Sequence, residues 1–142
     1  MSTEDVVSRF LACQREMYAG GPTEALEEML APNVIWHVPG RSPIAGDHRG
    51  RRAVLDYFAQ RRALAGGTIE ITKHAQVAHA DTLVQLADGH ATLAGQEQSW
   101  RTAGVYRVAG GRIAEAWLVP LDSEAFDLAW GAHAPPRARP RR

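Results

Sequence analysis

The hydrophobic period of this 142-residue chain changes once, at Gly66-Gly67, and that change constrains the fold more than any other feature. Before it, apolar residues recur at helical spacing; after it, they alternate. From Thr3, the residues Val6, Val7, Phe10, Leu11, Met17 and Tyr18 mark one face of a helix, with acids in its first turn and Gly20-Gly21 as its stop. Pro22 opens a short second helix carrying Leu26, Met29 and Leu30, closed before Pro32. A short strand with Trp36 and His37 follows and runs into a loop punctuated by Pro39, Gly40, Pro43, Gly46 and Gly50. A third helix begins near Arg51 and carries Val54, Leu55, Tyr57, Phe58 and Leu64. From Thr68 the period is two. Ile69/Ile71, Val84/Leu86, Trp100 to Val108 and Ile113 to Val119 read as strands, the last two joined by a hairpin turn at Ala109-Gly110-Gly111. Pro120 to Ser123 leads into a last short helix with Phe126, Leu128 and Trp130. Helices followed by an antiparallel meander make an α+β domain, with the helices on one face of a curved sheet.

Size and charge narrow the setting. The length suits one domain with a real core. Sixteen basic residues balance sixteen acidic ones, so the overall field favours neither nucleic acid nor a membrane as partner. A single cysteine, Cys13, inside a helical pattern fits a reduced, cytoplasmic compartment. Glu4 and Asp5 stand where a signal peptide carries positive charge, and no apolar run has the length of a membrane span. The domain is expected over residues 1–131. Residues 132–142, rich in Arg and Pro, read as a flexible tail.

The order of elements resembles the nuclear transport factor 2-like superfamily, which includes ketosteroid isomerase. Trp36-His37-Val38-Pro39-Gly40, the Gly46 to Gly50 loop, Gly111-Arg112-Ile113-Ala114-Glu115-Ala116-Trp117 and Asp122-x-x-x-Phe126-Asp127 resemble its SnoaL-like, polyketide-cyclase-like branch. The resemblance implies a cone-shaped single domain with a curved mixed or antiparallel sheet, and a pocket between the concave sheet face and the helices. It also shows what is missing. Positions that carry acid–base groups in the isomerase correspond to Phe10, Val38 and Gly104, and the Asp-Arg-Asp set of limonene-epoxide hydrolase is absent. By analogy Trp36, Tyr57, Trp100 and Thr102 line the pocket, while Arg107 and Trp117 lie on the opposite sheet face, where relatives dimerise.

Candidate polar groups come from the residues themselves. Period two places Val84, Leu86, Asp88 and His90 on one side of their strand. If Val84 and Leu86 face the core, Asp88 and His90 approach the pocket mouth, where the carboxylate would orient the imidazole. Asp88-Gly89 is also a hairpin-turn dipeptide, in which case both side chains are solvated. His37 adjoins the rigid Pro39-Gly40 turn and titrates in a useful range. His48 stands where it could cover the pocket mouth or simply be exposed. Arg49/Arg51/Arg52 and Arg61/Arg62 read as a solvated helix face. No spacing of Cys, His or acids makes a metal site, and no phosphate loop or dinucleotide motif implies a cofactor.

Two function classes follow. One is a cofactor-independent acid/base enzyme, a cyclase, isomerase or dehydratase, acting on an apolar polyketide-, terpenoid- or steroid-like molecule. Its proton-transfer group is then His37 or His90, oriented by Asp88 or Asp122. The other is a non-catalytic small-molecule-binding or accessory protein of the same fold. In either case a homodimer is expected through the convex face, where Ala103, Val105 and Trp117 alternate outward.

Overall fold

Ser2 starts the first helix. Its hydroxyl accepts the Asp5 N–H at 3.0 Å and the Asp5 carboxylate accepts the Ser2 N–H at 3.4 Å, a reciprocal cap. The helix, α1, spans Thr3–Tyr18 and buries Val6, Val7, Phe10, Gln14, Met17 and Tyr18 along one stripe. These elements belong to a computed structural model of the protein that describes residues 1–131. The tail expected at 132–142 lies outside the described residues. Helix α2 is only Glu24–Glu28, shorter than its apolar spacing suggests, because Leu30 already belongs to a strand, β1, spanning Leu30–Val38. Pro32 cannot donate to a ladder, and the register of β1 shifts between Leu30 and Ile35 around it. The loop also holds more order than its composition implies. Gly46–Arg49 forms a four-residue strand, β2, antiparallel to β1, which an all-polar Gly-Asp-His-Arg segment does not advertise.

Helix α3 covers Arg51–Ala65 and ends at Gly66 in a left-handed turn, as the period change requires. Four strands follow: β3 Glu70–His79, β4 Thr82–Leu93, β5 Gln96–Ala109 and β6 Arg112–Pro120. Gly110 and Gly111 both take positive φ, 60° and 77°, at the β5–β6 hairpin. Helix α4, Ser123–Ala129, closes the described chain. The six strands make one curved sheet in the order β2-β1-β6-β5-β4-β3, antiparallel throughout except where β1 runs parallel to β6. Register shifts in β1, β3 and β5 bend it. Helices α1 and α3 fill its concave side. No helix among the described residues is long and apolar enough to cross a membrane.

Two close approaches hold this arrangement. Gly40, at φ 102°, leaves the space in which the Asp127 carboxylate sits, and Asp127 accepts the Arg41 N–H at 3.1 and 3.2 Å. The loop after β1 is thereby tied to α4. Asp88-Gly89 is not a turn: β4 runs through it unbroken. The bare backbone of Gly89 faces inward, and the Trp100 indole of β5 occupies the volume its side chain would need. That contact fixes the parity of β4 opposite to the one expected. Leu83, Gln85, Ala87, Gly89 and Ala91 face the interior, while Val84, Leu86, Asp88 and His90 face out.

Gly89→Ala is therefore expected to destabilise the domain by about 1–3 kcal/mol through overpacking. Urea unfolding checks this, and combining it with Trp100→Leu is expected to cost less than the two changes added, since the clash is then relieved.

Candidate functional site

Five strands and one stripe from each of two helices build a chamber in the cone, with Ile71 of β3 and Leu118 of β6 in its wall. Trp36 comes from β1, Gln85 and Ala87 from β4, and Trp100, Thr102, Gly104 and Tyr106 from β5. Leu11 and Gln14 of α1 and Arg61 of α3 close it. The cavity measures about 40 Å³. It shares Leu11, Gln14, Ile71 and Gln85 with a groove of about 280 Å³ between α1 and β3, so the two amides stand at the neck between chamber and groove. Arg15 of α1 and Lys73 of β3 line the groove. Neither the groove nor the chamber is lined by an Asp, Glu or His among the described residues.

The decisive polar group is Arg61, which is only 5% exposed. Reading Arg61/Arg62 as a solvated face is wrong for Arg61. Val54, Tyr57, Phe58, Arg61 and Ala65 form a single buried stripe at helical spacing, and Arg61 occupies its polar gap. Its guanidinium donates to the Tyr18 hydroxyl at 3.1 Å. It lies 5.4, 5.7 and 5.0 Å from the ring centres of Tyr18, Tyr57 and Trp130, contacts worth about 0.5–2 kcal/mol each. Among the described residues it makes no salt bridge, and its Nε has no hydrogen-bond partner. Gln85 Oε1 and the Tyr57 hydroxyl are likewise buried with no partner among the described residues. Burial pushes the phenols of Tyr18 and Tyr57 up and that of Tyr106 up to about 12, so all three stay protonated near neutrality. The interior is an apolar shell whose polar groups are mostly donors, with Gln85 Oε1 an unpaired acceptor among them.

Of the aromatic candidates, Tyr57 is not among the residues lining the chamber. Trp36, Trp100 and Thr102 line the chamber. Tyr57 packs against Trp36, with ring centres 6.2 Å apart, and His48 stacks on Tyr57 at 4.5 Å while its Nε2 meets the Ile44 carbonyl at 3.0 Å. His48 thus roofs Tyr57. The acid–base candidates are elsewhere. Asp122 caps α4, accepting the Ala125 N–H at 3.0 Å. Asp88, on the outer face, binds Arg101 at 2.7 and 3.1 Å and His74 at 2.6 Å, and these partners hold its carboxyl well below the usual range. His90 lies beside it, 3.5 Å from Glu97.

His37 also faces out. Its Nδ1 is 2.8 Å from Asp47 and its Nε2 is 2.7 Å from Glu115, and its ring stacks on Trp117 at 5.4 Å. Glu115 in turn accepts from Arg107 at 3.3 Å. Partial burial lowers the His37 pKa, but the hydrogen bonds to Glu115 and Asp47 outweigh it and raise it above 6.5. No group of three or more His, Cys, Asp or Glu among the described residues is placed to hold a metal ion. Arg61, Gln14 and Gln85 are the interior residues that the sequence reading passed over. Their signal is periodicity, since each falls on the buried stripe of its element.

Residues 7–116 match the SnoaL-like domain. The chain belongs to the SnoaL-like family. It is 31% identical over 126 residues to an uncharacterized protein of Mycobacterium tuberculosis, Rv0034, a match covering 86% of this chain and 93% of the relative. Among solved structures it is similar to Bal32a from a soil-derived mobile gene cassette, with 25% identity, a TM-score of 0.79, and coverage of 91% of this chain and 99% of that one. An NTF2-like protein of Anabaena variabilis shares the fold at 17% identity and a TM-score of 0.76, covering 85% and 91% of the two chains. The SnoaL-like assignment settles the architecture. It leaves the chemistry to the residues inside the cone.

The outer ion network of this SnoaL-like domain has a defined pH window. The raised His37 pKa contributes stability present below 6.5 and lost as pH rises through the folded value. The lowered Asp47 and Glu115 pKa values contribute stability present above 3.8 and 4.5 and lost on acidification. His37→Gln is therefore expected to lower the melting temperature most between about pH 5 and 6, by roughly 1–4 °C, and least above pH 8. Melting curves across that range check it.

Proposed function

We propose that the cone interior binds an apolar small molecule that enters between α1 and β3 and reaches the chamber under Trp36 and Trp100. The observation that carries this is the continuity of groove and chamber through Gln14 and Gln85, with aromatic walls and buried polar atoms that lack protein partners. Protein interiors pair their polar groups, so unpaired groups around a cavity mark a place that a polar ligand or ordered water can fill.

What the interior offers chemically is donation. Arg61 and the protonated Tyr106 phenol, both in the chamber lining, stabilise charge that develops on a bound oxygen. No side chain lining the chamber among the described residues removes a proton. The arrangement therefore supports binding first. It supports cyclase, isomerase or dehydratase chemistry as charge stabilisation, with the proton leaving to solvent or to the substrate itself. His37, His90, Asp88 and Asp122 take no part in this reading, because each lies outside the chamber.

The outer face supports a second copy of the chain as partner. Val84 pairs across strands with Val105 and Val105 with Trp117, while Leu86 pairs with Ala103 and Ala103 with Val119. The result is an apolar block three strands wide, flanked by the His37–Glu115–Arg107 and Asp88–Arg101 ion networks. An isologous dimer covers such a block with itself. Sedimentation is expected to show a dimer, and Val105→Asp a monomer.

For the pocket, the neutral probe 3-phenylpropanamide is expected to bind saturably by calorimetry. Ala12→Trp, which fills the groove, is expected to weaken it about tenfold or more. His37→Gln and His90→Gln are expected to leave it unchanged. Binding indifferent to Ala12→Trp contradicts the proposed entrance.

A further inference from the structure

Resting on the pocket proposed above, we infer that its occupant carries a carboxylate or a comparable planar oxyanion, and that Arg61 is the receptor for that group. Three independent observations converge on it. First, a guanidinium has five N–H donors, and this one is 5% exposed yet gives one hydrogen bond, to Tyr18, among the described residues. The surrounding rings hold the cation by their faces and leave most of its donor fork unpaired. A guanidinium keeps its charge at every accessible pH, so the deficit cannot be relieved by deprotonation. Second, every charged side chain lining the approach is positive: Arg15 and Lys73 in the groove and Arg61 at its inner end. Like-signed charges along a cleft with low-dielectric walls draw an anion inward. Third, the chamber fits the head group. A water needs about 10–15 Å³ of such space, so the cavity of about 40 Å³ takes roughly three heavy atoms, the size of a carboxylate. The apolar remainder of the molecule then lies past the Gln14–Gln85 neck in the groove.

The competing view is that Arg61 is a structural strut, satisfied by Tyr18 and three aromatic rings. The two views differ in what the wild-type protein prefers to bind. Calorimetric titration with 3-phenylpropionate and with 3-phenylpropanamide compares two probes of one shape and different charge. The carboxylate is expected to bind roughly 10–100-fold more tightly than the amide, the range of a charge-assisted bidentate contact. Arg61→Met is expected to abolish that advantage while keeping amide binding, and a cooperative melting curve confirms its fold. Arg15→Gln with Lys73→Gln is expected to slow association of the carboxylate and flatten its salt dependence, leaving the amide unaffected. Equal affinity of the two probes for the wild-type protein overturns the inference and leaves the pocket standing. So does a carboxylate advantage that survives in Arg61→Met. Failure of both probes to bind overturns the pocket and the inference together. The wild-type comparison decides the matter even if Arg61→Met does not fold.

Discussion

The Trp100 indole can pack against β4 only because residue 89 has no side chain, and much of the interior hangs on that contact. It sets which residues of β4 face inward, and so places Gln85 and Ala87 in the chamber wall. From Trp100 the packing continues to Phe126 of the closing helix and to Trp130 just past its end, with ring centres 6.2 and 5.1 Å away. Trp130 then backs the Arg61 guanidinium. A glycine in the middle of a strand thus reaches, through two indoles, the one buried cation of the pocket. Such contiguous packing of rigid aromatic groups positions a polar side chain more sharply than a loop would.

The fold was legible because the hydrophobic period changes cleanly. Arg51 to Ala65 and the β5–β6 hairpin lie where their spacing and glycines put them. The face of β4 was not legible. Leu83 and Val84, and Leu86 and Ala87, are adjacent apolar pairs, so both parities present an apolar side. Only a residue on the neighbouring strand, Trp100, breaks the tie. Arg61 was missed for a related reason. A charged pair suggests solvent, yet helical spacing separates Arg61 from Arg62 by about a quarter turn, sending one inward and the other to the Met17 carbonyl. Type alone misled where position informed.

The molecule separates its polar groups into two systems with opposite physics. On the outer face, His37, His74 and His90 are paired with carboxylates and partly solvated, within reach of salt screening, and the His37 pairs respond to pH. Inside, Arg61, the tyrosines and Gln85 are shielded and incompletely paired, and their protonation does not change near neutrality. Of the residues that look most like catalysts in the sequence, His37, Asp88 and Asp122 have hydrogen-bond partners within the protein itself. Residues with unspent bonding capacity are the better guide to where a ligand belongs.

The close approach of Gly40 and Asp127 bears on how this chain can change over evolutionary time. Asp127 occupies the space that a side chain at position 40 would require, while its oxygens take up the neighbouring Arg41 N–H. A lineage that gains a side chain at 40 must at the same step give up the carboxylate at 127, and one that shortens 127 leaves an amide to be satisfied by other means. The two positions are far apart in the chain, but what one of them can hold depends on what the other holds.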